Sequence, residues 1–375
     1  MATNKCKVVH LTTVHLPYDT RILRRECISL SQQSNYNVYL LNGRAENATF
    51  GQVSLVAFDG KNRGRLGRVL IRSWLGYRAV KKIKPAICHL HDPEILWVGL
   101  VLKWHGVKVI FDAHEDYEKK VLSRYWVPKF LSPVISFSYK KVSKVMIKRF
   151  DAAIGATDLI SSLQPNQKRC TLHNYPRLDE LSSSTGDSVR ESNRILYTGG
   201  LTSHRGIEQV VKALCEVSSG NWKLVIVGQE NPEVAKRLKC YLQDPRIDYR
   251  GVVAFEEVKS LLDESRIGVV CNQRGYDYEN ALPNKLFEYM AAGLAVICSN
   301  FESWKEIVED TGSGYTCDTT DIKVLGETLD YVLGNPELAI KCGENGKVAI
   351  KNRYSWEREE RKLIALYEEV LNGDF

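Results

Sequence analysis

Short runs of β-branched and apolar residues alternate with helix-length stretches along this chain, stop at one polar interruption, and then begin again. Residues 7–12, 37–41, 53–58, 86–90, 107–111 and 152–155 read as strands, with helical spacing between them at 66–84 and 94–104. A parallel strand can return to its sheet only through a long crossover, so this alternation predicts a mainly parallel sheet covered on both faces. Residues 177–193 (RLDELSSSTGDSVRESN) are too polar to build a core and read as a linker. Strands then resume at 195–197, 223–227, 247–252, 267–270 and 294–298, again with helices between. A chain of 375 residues exceeds one ordinary core. The expectation is α/β throughout, as two Rossmann-like, doubly wound domains spanning 1–180 and 181–354. The amphipathic helix of 355–375, anchored by Trp356, is expected to pack back on the first. Open α/β sheets bind ligands beyond the carboxyl ends of their strands, so the two domains are expected to face each other across a ligand-binding cleft.

Composition removes several alternatives. No apolar run reaches the roughly 18 residues of a membrane span, and residues 1–5 lead into a strand without a signal-peptide core. The expected location is therefore the cytoplasm. The ten cysteines are scattered, several lie in apolar runs, and none forms a C-x-x-C pair. They read as reduced core residues, with no metal expected among them.

Charge is divided unevenly. Residues 1–180 hold 29 basic and 14 acidic side chains, a net of +15, whereas 181–375 hold 23 and 31, a net of −8. Segments 61–84 and 119–150 each contain nine basic residues and no acidic one, and the second interleaves them with aromatic residues. Such segments suit an anionic membrane surface, each basic residue contributing about 1 kcal/mol; a solvated basic face is the plainer alternative. No nucleic-acid-binding motif accompanies the charge, so no nucleic-acid partner is expected.

After the first strand the sequence is TTVHLP, without the G-x-G-x-x-G of a dinucleotide site. The most specific segment is 282–297, LPNKLFEYMAAGLAVI. Pro283 and Asn284 open a helix that Gly293 closes. Lys285 lies in its first turn, where the helix dipole disfavours a cation unless a phosphate shares the position. Glu288, one turn on, can accept hydrogen bonds from ribose hydroxyls.

This run resembles the donor-site signature of the GT-B glycosyltransferases of family 4, and further pieces follow in the family's order. Residues 195–206 (ILYTGGLTSHRG) look like the opening of its donor domain, and His173-Asn174 like the entry to it. Residues 111–115 (FDAHE) look like its strand-end histidine motif, and 15–26 (HLPYDTRILRRE) resemble the first loop of a subgroup acting on bacterial surface polysaccharide. The resemblance implies that Glu288 holds the ribose, with Arg205, Lys285, Asn284 and Gly200 around the diphosphate. Arg205 and Lys285 would be catalytic by meeting the charge that grows on the leaving group. His114 would face the donor sugar as the third catalytic residue.

The family retains anomeric configuration and generally needs no divalent metal, so neither a metal nor another cofactor is expected. The donor is expected to be a nucleoside-diphosphate sugar, a UDP-sugar by default. Two departures stand out. The first acid of the family's Glu-x7-Glu is replaced by Asn280, leaving Glu279 or Asn280 for the sugar, and Gly199-Gly200 stands where Gly-Arg is usual. His15, Asp19, Arg21, His91 and Glu115 are candidates for the acceptor pocket. Arg21 could alternatively take a phosphate, and Asp92 before Pro93 reads as a helix N-cap.

The resulting expectation is a retaining glycosyltransferase, peripheral to the inner membrane, acting on a glycan or polyprenyl-linked acceptor in O-antigen or capsule synthesis. A GT-B nucleotide-sugar epimerase and a non-catalytic membrane-docked partner of the same fold are the alternatives.

Overall fold

The computed structural model describes residues 5–44, 46–59, 61, 64, 67–115, 132–181, 193–217, 221–275, 279 and 281–373. The chain divides into two units, Met1–Asn174 with Glu357–Phe375, and Tyr175–Trp356. The boundary therefore precedes the expected one at 180, because residues 178–181 form a helical turn that belongs to the second unit. Much of the expected linker, 182–192, lies outside the described residues.

In the first unit eight strands form one sheet: β1 (Cys6–Thr12), β2 (Tyr36–Asn42), β3 (Ala48–Phe50), β4 (Val53–Ala57), β5 (Ile87–Leu90), β6 (Lys108–Ala113), β7 (Ala152–Gly155) and β8 (Arg169–Thr171). Their order is β3-β4-β2-β1-β5-β6-β7-β8, parallel except for the β3–β4 edge pair. The central strands are apolar on both faces, as a doubly covered sheet requires; every residue of β5 and β7 is buried. Four helices of this unit bear on function: α1 (Thr20–Cys27), α2 (Ser73–Ile83), α3 (Leu96–Trp104) and α4 (Ser132–Ile147). Asp19 caps α1, its carboxylate accepting from the backbone N–H groups of Arg21 and Ile22 at 2.9 and 3.0 Å.

The second unit has six strands: β9 (Arg194–Thr198), β10 (Lys223–Val227), β11 (Ile247–Gly251), β12 (Ile267–Val270), β13 (Ala295–Ser299) and β14 (Gly314–Cys317). Their order, β11-β10-β9-β12-β13-β14, is all parallel and reverses direction between β9 and β12, the switch point at which such sheets bind ligands. Helix α5 (Asn284–Ala292) follows β12 and ends at Gly293, whose φ of 80° closes it in the left-handed region.

Helix α6 (Trp356–Asn372) begins in the second unit, where Trp356 is fully buried and donates its backbone N–H to Pro176 O at 2.9 Å. From Glu357 onward it belongs to the first unit. There Glu359 accepts from the His173 backbone N–H at 2.9 Å, and Tyr367 is fully buried. Among the described residues no helix is long and apolar enough to cross a membrane.

Candidate functional site: two polar centres at strand ends

In the second unit two of the residues expected at the donor site, Arg205 and Lys285, come together at Gly199, where β9 ends. Gly199, with φ +137°, has no room for a side chain; a Cβ there would overlap Lys285 Nζ and lie 2.9 Å from an Arg205 terminal nitrogen. Gly206, at φ +71°, lets the chain turn into the next helix where a Cβ would strike the Cys271 carbonyl. Tyr289 fixes α5 against the strand, its hydroxyl accepting from the Thr198 N–H at 2.8 Å. No side chain caps the N-terminus of α5.

Two cations thus lie together at an uncapped helix N-terminus. Burial pushes the Lys285 amine down to about 7, Arg205 pushes the same way, and Glu288 only partly opposes them. Its Nζ sits 5.3 Å from the centre of the Tyr197 ring. Like charges are costly at short range, and an anion between them would lower that cost. Asn284 opens α5 half-buried. Gly200 lies 3.1 Å, through its carbonyl, from the Tyr197 hydroxyl. Glu279 is exposed, its carbonyl accepting from Ser303, and Asn280 lies outside the described residues.

The first unit holds a second centre at the ends of β1, β5 and β6. His114 meets Asp112 at 2.8 Å, and Asp112 also receives Arg21 through Nε and Nη2, both at 2.8 Å. Burial would raise the Asp112 carboxyl, but Arg21 and then His114 hold it well below the usual range. His15 stacks obliquely on His114 with ring centres 4.6 Å apart and reaches Asp19 at 3.2 Å. Burial works against the charged form of Asp19, yet bonds from His15 and the Ile22 N–H hold its carboxyl at about 2.

Several expectations change here. Arg21, a candidate phosphate ligand, is 4% exposed and turned inward, its remaining donor on the Leu172 carbonyl at 2.6 Å. His91, expected to line a pocket, has no exposed surface, and burial brings it down to about 4. Asp92 does not cap the helical turn that follows. Its carboxylate instead accepts from Thr12 Oγ1 at 2.8 Å and the Thr13 N–H at 2.6 Å, bracing the loop after β1. Glu115 is exposed.

Asp112, Glu26, His10 and His89 were not foreseen. Glu26 and Asp112 lie within the motifs at 15–26 and 111–115, and the His-x-His spacing of His89 and His91, which puts both imidazoles on one face of a strand, was the signal for His89.

Residues 183–349 match the family model described as Glycosyl transferases group 1. An uncharacterized glycosyltransferase of Methanocaldococcus jannaschii is 24% identical over 190 residues, 50% of this chain and 47% of that protein. The amylovoran biosynthesis glycosyltransferase AmsK of Erwinia amylovora is 28% identical over 150 residues, 38% of this chain and 36% of that protein. The chain thus spans less than half the length of either relative. Among solved structures, sucrose-phosphate synthase from Thermosynechococcus elongatus superposes with a TM-score of 0.77 at 14% identity, covering 99% of this chain and 100% of that one. Anabaena HepE in complex with UDP and glucose gives 0.71 at 12% identity, covering 97% and 100%. Over its whole length the chain has the GT-B fold, and over residues 183–349 its sequence is similar to the group 1 glycosyl transferases.

Proposed function

We propose that the chain transfers a sugar from a nucleoside-diphosphate sugar, a UDP-sugar first among them, to a glycan or polyprenyl-linked acceptor, with retention of configuration. The observation that carries this reading is the pairing of Lys285 with Arg205 against Gly199-Gly200 at the uncapped start of α5. A diphosphate placed there meets two cations and the positive end of a helix dipole. Glu288, one turn along α5, takes the ribose in this reading. As the anomeric C–O bond to the diphosphate breaks, negative charge grows on the leaving oxygens beside these cations. The acceptor oxygen bonds on the same face and its proton passes to the leaving phosphate, so no side-chain nucleophile and no metal is invoked. His114, oriented by Asp112, takes the role of positioning the sugar.

The AmsK relative is named for amylovoran biosynthesis, and the basic segments 61–84 and 119–150 suit an anionic membrane. Both favour a surface-polysaccharide acceptor, O-antigen or capsule, presented at the inner membrane face. Residues 62, 63, 65, 66 and 119–131 of those segments lie outside the described residues.

The test is calorimetric titration of UDP and GDP into wild type and Glu288→Ala. The expected result is preferential UDP binding, weakened more than tenfold in the variant, or about 1.4 kcal/mol, with an unchanged melting temperature. Equal affinity in both proteins removes Glu288 from the site. Absence of binding by any nucleoside diphosphate removes the transferase reading.

A further inference from the structure

Behind the Asp112–His114 pair lies a second cluster for which the proposed transfer has no use. The parallel register of β1 and β5 sets His10 beside His89, and the alternation of the strand adds His91 on the same face. Glu26 reaches that face from α1. All four side chains have zero exposure. One nitrogen from each imidazole and one Glu26 oxygen lie within 4.8 Å of one another. Glu26 Oε2 stands 3.8 Å from His10 Nδ1, 3.8 Å from His89 Nδ1 and 4.0 Å from His91 Nε2, while His10 Nδ1 and His91 Nε2 are 2.9 Å apart.

We propose that these four residues form a buried site for one divalent transition-metal ion of the zinc class. Three imidazoles and one carboxylate are a ligand set that zinc-class ions favour, whereas magnesium and calcium want a shell of oxygens. With metal–ligand distances of about 2.0–2.2 Å, neighbouring ligands around a tetrahedral ion lie about 3.4 Å apart. The observed separations bracket that value, so small side-chain shifts admit the ion. Two further observations point to a missing partner. Neither Glu26 oxygen has a hydrogen-bond partner, although buried polar groups ordinarily have one. The nearest cation, Arg21, lies 3.2 Å from Glu26 Oε1 but makes its paired hydrogen bonds to Asp112, so one guanidinium is shared by two buried carboxylates. A metal ion answers both.

The surroundings suit the role. The other nitrogen of His91 lies 3.4 Å from Asp112 Oδ2, the carboxylate–histidine–metal arrangement that orients a ligand imidazole. The Tyr367 hydroxyl lies 3.3 Å from His10 Nε2, the nitrogen opposite its ligand atom, and its 2.8 Å contact with His89 Nδ1 gives way when that nitrogen takes the ion. The ion therefore acts as a positioning element, joining α1 to β1 and β5 and, through His91 and Asp112, fixing His114.

The full chain, stripped with a chelator, is loaded with cobalt or zinc and desalted. The expected result is about one retained equivalent, a tetrahedral cobalt absorption spectrum, and X-ray absorption of the zinc form showing only nitrogen and oxygen neighbours. Glu26→Gln and His89→Ala should lose the ion, while His105→Ala, at an exposed histidine, should keep it. Less than about a tenth of an equivalent in folded wild type, sulfur among the neighbours, or equal retention by folded Glu26→Gln overturns the site. Should both ligand variants fail to fold, wild-type stoichiometry and absorption still decide. UDP titration of the same samples reads a different unit, so the failure of either proposal is separable from the other.

Discussion

On the proposed function, Lys285 is a residue at which binding costs stability. It is pressed against Arg205 with its charge largely removed from water, and burial holds its amine at about 7. The unfolded chain would keep the ordinary lysine value of about 10.4. Between about pH 7 and 10 the unfolded state thus binds more protons than the folded state, so this group's contribution to stability rises with pH over that window. Lys285→Met should abolish the rise. By removing the like-charge contact, it should also increase the melting temperature near neutral pH by about 2–4 °C, as ~1 kcal/mol does for a unit of this size. Binding has the opposite slope. A diphosphate restores the ammonium, so its affinity should fall by up to about tenfold per pH unit above 7. Lys285→Arg should flatten that fall, and calorimetry in buffers of different ionisation enthalpy would register the proton uptake. A flat wild-type profile places Lys285 away from the phosphate. This residue was legible in the sequence because a cation in a first helical turn breaks a local rule. Arg21 was not: its sequence neighbours are those of a surface arginine, and only the distant Asp112 shows why it turns inward.

At the scale of elements, the seat of the loop after β9 depends on one hydroxyl. Tyr289 is fully buried in α5 and accepts the Thr198 N–H at the end of β9. Tyr289→Phe keeps the shape but leaves that donor unpaired, at a cost of about 1–3 kcal/mol. Chemical denaturation should show this loss, and because Gly199 follows directly, UDP affinity should fall with it. Unaltered affinity alongside lost stability would separate the strand end from the phosphate seat. The same contrast marks which elements were readable. The central strands are largely apolar, broken by His10 in β1 and His89 in β5, and were located to within a few residues. β3, β8 and β14 were missed because each is a short edge strand, ATF, RCT or GYTC, without the consecutive apolar residues of β7 or β12. The Asp92 turn misled for a related reason. An Asp before Pro is the local signature of a cap, but the loop after β1 supplies donors from far along the chain that compete for the carboxylate more effectively.

For the molecule as a whole, the distribution of charge carries information that the total of +7 conceals. The structure adds apolar surface to the basic segments. On α4, Phe137 is 62% exposed beside Val142 and Val145, with Lys141 5.6 Å from the Phe137 ring centre. Ahead of and within α2, Leu70 and Trp74 are 64% and 47% exposed, with Arg78 packed over the Trp74 ring at 4.8 Å. Large apolar side chains among lysines and arginines are poorly explained by a purely solvated face. At a membrane interface they enter the headgroup layer while the cations meet anionic lipid. Reversal to glutamate at Lys140, Lys141 and Lys144 replaces three attractions of about 1 kcal/mol each with repulsions. Sedimentation with vesicles containing anionic lipid should then show binding reduced at least about a hundredfold. Phe137→Ala should weaken binding while leaving its salt dependence in place, because it removes apolar burial and not charge. UDP affinity should be unchanged in both variants, as the donor residues belong to the other unit. Persistent vesicle binding by the triple variant would exclude α4 as the contact, whereas equal binding of wild type to neutral and anionic vesicles would exclude charge as its cause.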